Sequence, residues 1–175
     1  MQEAIARLYR RVQMAVGVGR TTAPANDTGS AQTVQVRLSG GEVRDGLPVT
    51  AIYGLASNAP VGSDVVCLFL GGDRSNGVVI GTANQGSRPR GRKAGEVAIY
   101  NEFGMTVFLS ADGIRIDAGG KPLRIARAPE VTMDGDLKVK GEVTAMAEGA
   151  AIRLSQHRHG GVRGGAELTA TPGPG

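Results

Sequence analysis

The sequence predicts a mainly β chain built from a short N-terminal helix, a small OB-type barrel and a long ladder of one-sided strands. Three observations carry this. Helical periodicity is confined to the first residues, five or so short apolar runs separated by turn residues follow, and beyond residue 95 apolar residues alternate strictly with polar ones. Composition agrees: 28 glycines, 3% aromatic residues and no tryptophan leave few large side chains for a conventional core and favour narrow, repetitive β packing.

The helix is expected over residues 1–16. Ile5, Leu8, Val12 and Val16 recur at spacings of three and four with Arg7, Arg10 and Arg11 between them, and Gly17-Val18-Gly19 ends the pattern. A helix this short is marginal by itself, so its apolar stripe requires a partner, either the following domain or another protein. The stretch after Arg10-Arg11 lacks the apolar region and cleavage site of an export signal.

The barrel is expected over 17–84. Its strands are read at Thr33-Val34-Gln35-Val36-Arg37-Leu38, at Pro48-Val49-Thr50-Ala51-Ile52-Tyr53, from Val65 to Leu70, and at Gly77-Val78-Val79-Ile80-Gly81. Gly40-Gly41, Asp45-Gly46, Asn58-Ala59-Pro60 and Ser75-Asn76-Gly77 are read as turns. The most apolar run, Val65 to Leu70, is expected to be the central strand. It holds the single cysteine, Cys67, which is expected to be a buried small apolar residue and not a catalytic thiol.

A Gly-, Arg- and Pro-rich stretch at 85–95 reads as a linker, and its cluster Arg88-Pro89-Arg90-Gly91-Arg92-Lys93 as a solvated one. From 96 to 154 the apolar pairs Val97/Ile99, Val107/Leu109, Ile114/Ile116, Leu123/Ile125, Val131/Met133, Leu137/Val139 and Ile152/Leu154 recur roughly eight to ten residues apart, with a longer gap before the last. Each strand is apolar on one face only, and one chain has nothing against which to bury that face. Three copies wound around a common axis would close it into a triangular prism, an intertwined trimeric β-helix about 35 Å long at the ~4.8 Å strand spacing.

Both histidines fall in Gln156-His157-Arg158-His159-Gly160-Gly161, in the final segment 155–175. In an extended segment residues i and i+2 share a face, so His157 and His159 are expected to point together at the axis. Three chains would then bring six imidazole nitrogens to one octahedral site, a donor set suited to Fe, Ni, Cu or Zn, with the geometry arguing against the usual tetrahedral zinc. The expected occupant of this metal-bound apex is one Fe ion per trimer. Gly160-Gly161, Gly164-Gly165 and Thr171-Pro172-Gly173-Pro174-Gly175 are small enough for three backbones to converge there.

Several function classes are disfavoured. No apolar run reaches the roughly 18 residues of a spanning helix. The net charge of +4 is dispersed, and the barrel region has only Tyr53 and Phe69 as aromatics, which argues against an OB-fold nucleic-acid-binding protein. A His-x-His metallohydrolase would need further ligands and a general base, and the chain has no third histidine. A sugar-cleaving site would need two carboxylates facing a cleft, whereas the acidic residues here lie mostly in turns. No enzymatic activity is expected.

In their order along the chain, the opening helix with Arg10-Arg11, the segment Gly71-Gly72-Asp73-Arg74-Ser75-Asn76-Gly77-Val78-Val79-Ile80, the segment Gly95-Glu96-Val97-Ala98-Ile99-Tyr100-Asn101-Glu102-Phe103-Gly104, then Leu109-Ser110-Ala111-Asp112-Gly113-Ile114 and the terminal His157-Arg158-His159-Gly160-Gly161 resemble the baseplate spike proteins, or baseplate assembly protein V, of Mu-like contractile-tailed phages. The resemblance covers nearly the whole chain. It implies a homotrimer in the virion, assembled in the host cytoplasm, with an OB-fold domain docked on the baseplate hub protein at the end of the tail tube. It further implies a β-helical shaft, iron held by His157 and His159, other ions along the axis in some relatives, and transient piercing of the host outer membrane.

Overall fold

The computed structural model describes residues 1–145 and 151–156. They are mainly β with one α-helix, and the chain divides into two compact units, Met1–Arg124 and a second that begins at Ile125.

Helix α1 spans Gln2–Met14 and buries none of its residues. Ala15 closes it in helical conformation, and Val16, read from sequence as the end of its apolar stripe, instead opens strand β1 (Val16–Thr21). The alternation Val16-Gly17-Val18-Gly19 explains the switch. A β-branched residue every second position suits a pleat, and Gly19 lies where a Cβ would collide with the backbone carbonyl of Arg37 on the neighbouring strand.

β1 is the middle of a five-stranded sheet in the order β3-β2-β1-β4-β5, with β2 at Thr33–Leu38, β3 at Val43–Pro48, β4 at Asp64–Phe69 and β5 at Gly77–Ala83. The expectation that the Val65 to Leu70 run is central is therefore corrected: β4 lies one place off centre. All neighbouring pairs are antiparallel. The sheet curls into a half-barrel until its two edges meet at one parallel bridge, Val49 with Val79, where the Thr50 amide donates to the Val79 carbonyl at 2.8 Å.

Two local readings are also corrected. Asp45-Gly46 is not the turn. It lies inside β3 as a bulge, with Gly46 at φ +69°, its amide held by the Asp45 carboxylate at 2.8 Å, and the β2–β3 register slipping between Val34 and Val36. The run from Pro48 to Tyr53 is likewise no strand beyond its first residue. Proline ends the ladder because it has no N–H to give, and the chain leaves as a loop to Gly62.

The interior is filled by alternate residues of three strands, Val34, Val36 and Leu38, then Leu47, then Val65, Cys67 and Phe69, with Val79 closing the fourth side. These eight are the whole buried apolar set among the described residues. At roughly 1.5–3 kcal/mol for each fully buried Val, Leu or Phe side chain, this core is modest, and the polar network at its rim matters correspondingly.

That network centres on Thr21 and Ser63, the two buried polar residues among those described. The Thr21 hydroxyl accepts from the amides of Gly62 (3.0 Å) and Ser63 (3.1 Å), and the Ser63 hydroxyl donates to the Pro60 carbonyl (2.6 Å) and accepts from the Asn84 amide (3.1 Å). Asn84 in turn accepts from Gly86 and Ser87, so the chain leaving β5 is tied back to the start of β4.

Also within the first unit, β6 (Val97–Tyr100), β7 (Thr106–Ser110) and β8 (Gly113–Asp117) form a separate antiparallel sheet in chain order. The second unit contains, among its described residues, one two-residue hairpin, β9 (Thr144–Ala145) with β10 (Ile152–Arg153). Ser155 donates to Glu142 through both its amide and its hydroxyl, which holds the Glu142 carboxyl below the usual carboxylate range. No strand is assigned between residues 118 and 143.

Candidate functional site

The register of the β6–β8 sheet brings six apolar side chains onto one face. Val97 stands opposite Leu109, which stands opposite Ile114, and Ile99 stands opposite Val107, which stands opposite Ile116. Directly paired residues lie on the same side of a sheet, so the face is two rows of three with no polar residue in it. The reverse face carries Ala98, Phe108 and Arg115 in one row and Tyr100, Thr106 and Asp117 in the other.

In an ordinary two-layer domain such a face is covered. Here Ile114 keeps 73% of its surface exposed, Ile99 58% and Ile116 57%. The alternating pairs farther along, Leu123/Ile125, Val131/Met133 and Leu137/Val139, are exposed in the same way. Open apolar surface of this kind is characteristic of interaction sites. The stripe on α1, with Ile5, Leu8 and Val12 all exposed, is a second one, and its sequence-level requirement for a partner is not met by the half-barrel.

The last turn of α1 meets the half-barrel. Its Arg11 carbonyl lies over Gly72, in a short 3-10 turn at Leu70–Gly72 where the backbone has φ +74° and a Cβ would have no room. Beside this contact Ile5, Leu8 and Val12 stay exposed.

Two carboxylates of the half-barrel are held by hydrogen bonds within it. Arg20 donates to Asp64 at 2.7 Å across β1 and β4, Gln85 donates to the other carboxylate oxygen at 2.7 Å, and together they hold the Asp64 carboxyl below its ordinary value. Asp73 is lowered by Ser75, which donates to it from both hydroxyl and amide in the β4–β5 turn. Cys67 is fully buried, and burial pushes its thiol up against a smaller downward pull from Arg74. It is the buried small residue expected, and burial disfavours the thiolate, the reactive form of cysteine.

His157 and His159 lie outside the described residues. Among the described residues, no group of three or more His, Cys, Asp or Glu is placed to hold a metal ion. No helix among them is long and apolar enough to cross a membrane. Of the two barrel-region aromatics, Phe69 is enclosed in the core and only Tyr53 is open. The Arg74–Phe69 stack and the Arg20–Asp64 pair were invisible to sequence reasoning, because the partners are far apart in the chain or lie on separate elements and neither pair follows a periodic pattern.

The chain is similar to a known family and to a known protein. Residues 22–86, from the end of β1 to just beyond β5, match the family described as Bacteriophage Mu Gp45, N-terminal. The Mu-like prophage FluMu protein gp45 of Haemophilus influenzae is 26% identical over 169 residues, covering 89% of this chain and 91% of the relative. The two similarities support a Mu-like phage protein.

Proposed function

We propose that the chain is the structural subunit of a trimeric spike at the centre of a contractile-tail baseplate, carried in the virion and driven through the host outer membrane on contraction. The observation that carries this reading is the open two-by-three apolar face of β6–β8, followed by further exposed alternating pairs. Winding three copies around a common axis would cover a one-sided face and let each sheet edge meet the edge of the next copy. The similarity to phage Mu gp45 proteins supports it independently.

In this reading the curled five-stranded sheet is an OB-type barrel that, with α1, docks on the hub protein at the end of the tail tube, and the β6–β8 sheet begins an intertwined β-helical shaft. The chain acts mechanically and catalyses nothing. His157 and His159 of three chains hold the apex. Six imidazoles suit an iron ion, which when bound would clamp the three strands at one point, and further ions on the shaft axis are compatible with it.

Native mass spectrometry tests the assembly: a mass three times 18.0 kDa is expected, and a stable single chain overturns the reading. Elemental analysis of untagged protein tests the apex. It should give about one metal per three chains, lost in His157→Ala and in His159→Ala, whereas one metal per chain would contradict a shared site.

A further inference from the structure

The half-barrel carries two surfaces of unlike shape and matched chemistry. One is convex. The loop between β3 and β4 rises from the closing seam of the sheet, and from residue 46 to residue 63 it contains no charged side chain, in a chain where 21% of residues are charged. Its tip is a tight turn, closed by the Leu55 amide donating to the Ile52 carbonyl at 2.9 Å with Gly54 at φ +87°. The turn projects Ile52, Tyr53 and Leu55 into solvent, Tyr53 completely so at 103% exposure. The other surface is concave. On the outer wall of β1, β4 and β5, an open groove of about 970 Å³ has Val18, Val66 and Gly81 along its floor, paired in register, with Arg20, Asp64 and Arg37 at its rim.

We propose that the tip at Ile52, Tyr53 and Leu55 of one copy seats in the outer-wall groove of the next copy, and that this contact closes a ring of three half-barrels. The inference rests on the trimeric reading above. A ring with threefold symmetry is joined head to tail, so each subunit must offer two different, complementary surfaces. A projection and a groove, both apolar at the centre, are such a pair. The aliphatic side chains of the tip match the valine floor, and the phenol hydroxyl, the one polar side-chain atom among the three, matches a rim that offers both donors and acceptors. Tyrosine suits such a seat because its body is apolar and its end is not. A lipid surface is a poorer occupant, since no Lys or Arg lies in the uncharged stretch to meet headgroups.

The chain has no tryptophan, so Tyr53→Trp installs a single reporter at the tip. In the three-chain assembly the emission of the reporter should be blue-shifted, and its quenching by acrylamide several-fold weaker than in the urea-unfolded chain. Adding Val66→Asp or Val18→Asp to the groove floor should return both to solvent-exposed values while the mass stays at three chains, because the β6–β8 face still holds the shaft. Continued protection of Cys67 from a thiol reagent verifies that each groove variant retains its core. A reporter that is solvent-exposed in the three-chain assembly overturns the proposal, as does one whose shielding ignores the groove variants. Shielding that appears only on adding phosphatidylcholine–phosphatidylglycerol vesicles assigns the tip to lipid and also overturns it. A single-chain mass would instead remove the trimeric reading itself, and the ring with it.

Discussion

The guanidinium carbon of Arg74 lies 4.4 Å from the centre of the Phe69 ring, stacking a cation on the largest side chain of the core. Arg74 Nε is 3.7 Å from a Glu42 carboxylate oxygen, close enough for attraction, yet Nε and one terminal nitrogen are buried without a hydrogen bond. The residue therefore acts as a lid whose packing and ring contact outweigh an imperfectly satisfied charge. Arg74→Ala should lower stability by about 1–3 kcal/mol, through lost stem packing and the cation–π contact together. Arg74→Met keeps a stem and relieves the unpaired nitrogens, so it should lose less. Urea midpoints at one fixed protein concentration decide it, and equal losses in the two variants would show that the charge alone matters.

The rim network ranks its own members. Removing the Thr21 hydroxyl leaves the Gly62 and Ser63 amides with backbone acceptors, Thr21 O at 3.0 Å and Pro60 O at 3.1 Å. Thr21→Val should therefore cost only about 1 kcal/mol. Ser63 has less reserve: it is fully buried, and although the Pro60 carbonyl keeps the Ser63 amide, the Asn84 side-chain amide loses the hydroxyl to which it donates. Ser63→Ala should cost about 1–3 kcal/mol, and Ser63→Ala with Asn84→Ala should cost less than the sum, since both break one bond. Strict additivity in denaturant unfolding would mean that the Ser63–Asn84 bond contributes nothing.

The half-barrel was legible where apolar residues alternate and not where glycine replaces them. Thr33–Leu38 and Val65–Phe69 declare themselves as β2 and β4 because every second residue enters the core. β1 does not, since Gly17 and Gly19 stand where apolar residues would otherwise mark the inward face, so its first residue reads as the tail of the helix and the sheet's centre is misplaced. Asp45-Gly46 reads as a turn because bulges and turns ask for the same left-handed glycine. In β6–β8 the apolar pairs were visible at once, and their common face followed from registry, which no periodicity supplies. The His157/His159 pair was legible as a pattern, and both residues lie outside the described part of the chain.

Asp64 ties acid sensitivity to the half-barrel. Its folded carboxyl is lowered, first by the Arg20 hydrogen bond and then by Gln85, from an ordinary value of 3.8. A depressed folded pKa contributes stability that is present above 3.8 and lost as pH falls through the lowered folded value. Thermal midpoints should therefore drop on acidification below about pH 4, and Asp64→Asn should show a shallower drop over that window. Asp73 and Glu142 are shifted the same way and keep a residual slope in the variant. An unchanged slope in Asp64→Asn would place the acid sensitivity elsewhere.

The apolar face of β6–β8 predicts a sharp asymmetry between neighbouring residues. Ile116 lies in the row with Ile99 and Val107, while Arg115, one residue earlier, points from the reverse face beside Phe108, its guanidinium carbon 6.0 Å from the ring centre. If three copies bury the first face, Ile116→Asp would place three carboxylates in a dry interior, where an unpaired charge costs several kcal/mol each. The three-chain mass should be lost or become strongly concentration-dependent in sedimentation. Arg115→Ser removes only an exposed cation at the edge of ring-contact range and should leave the mass unchanged. Because successive residues of a strand face opposite sides, equal effects at 115 and 116 would be incompatible with a one-sided interface, whatever its symmetry.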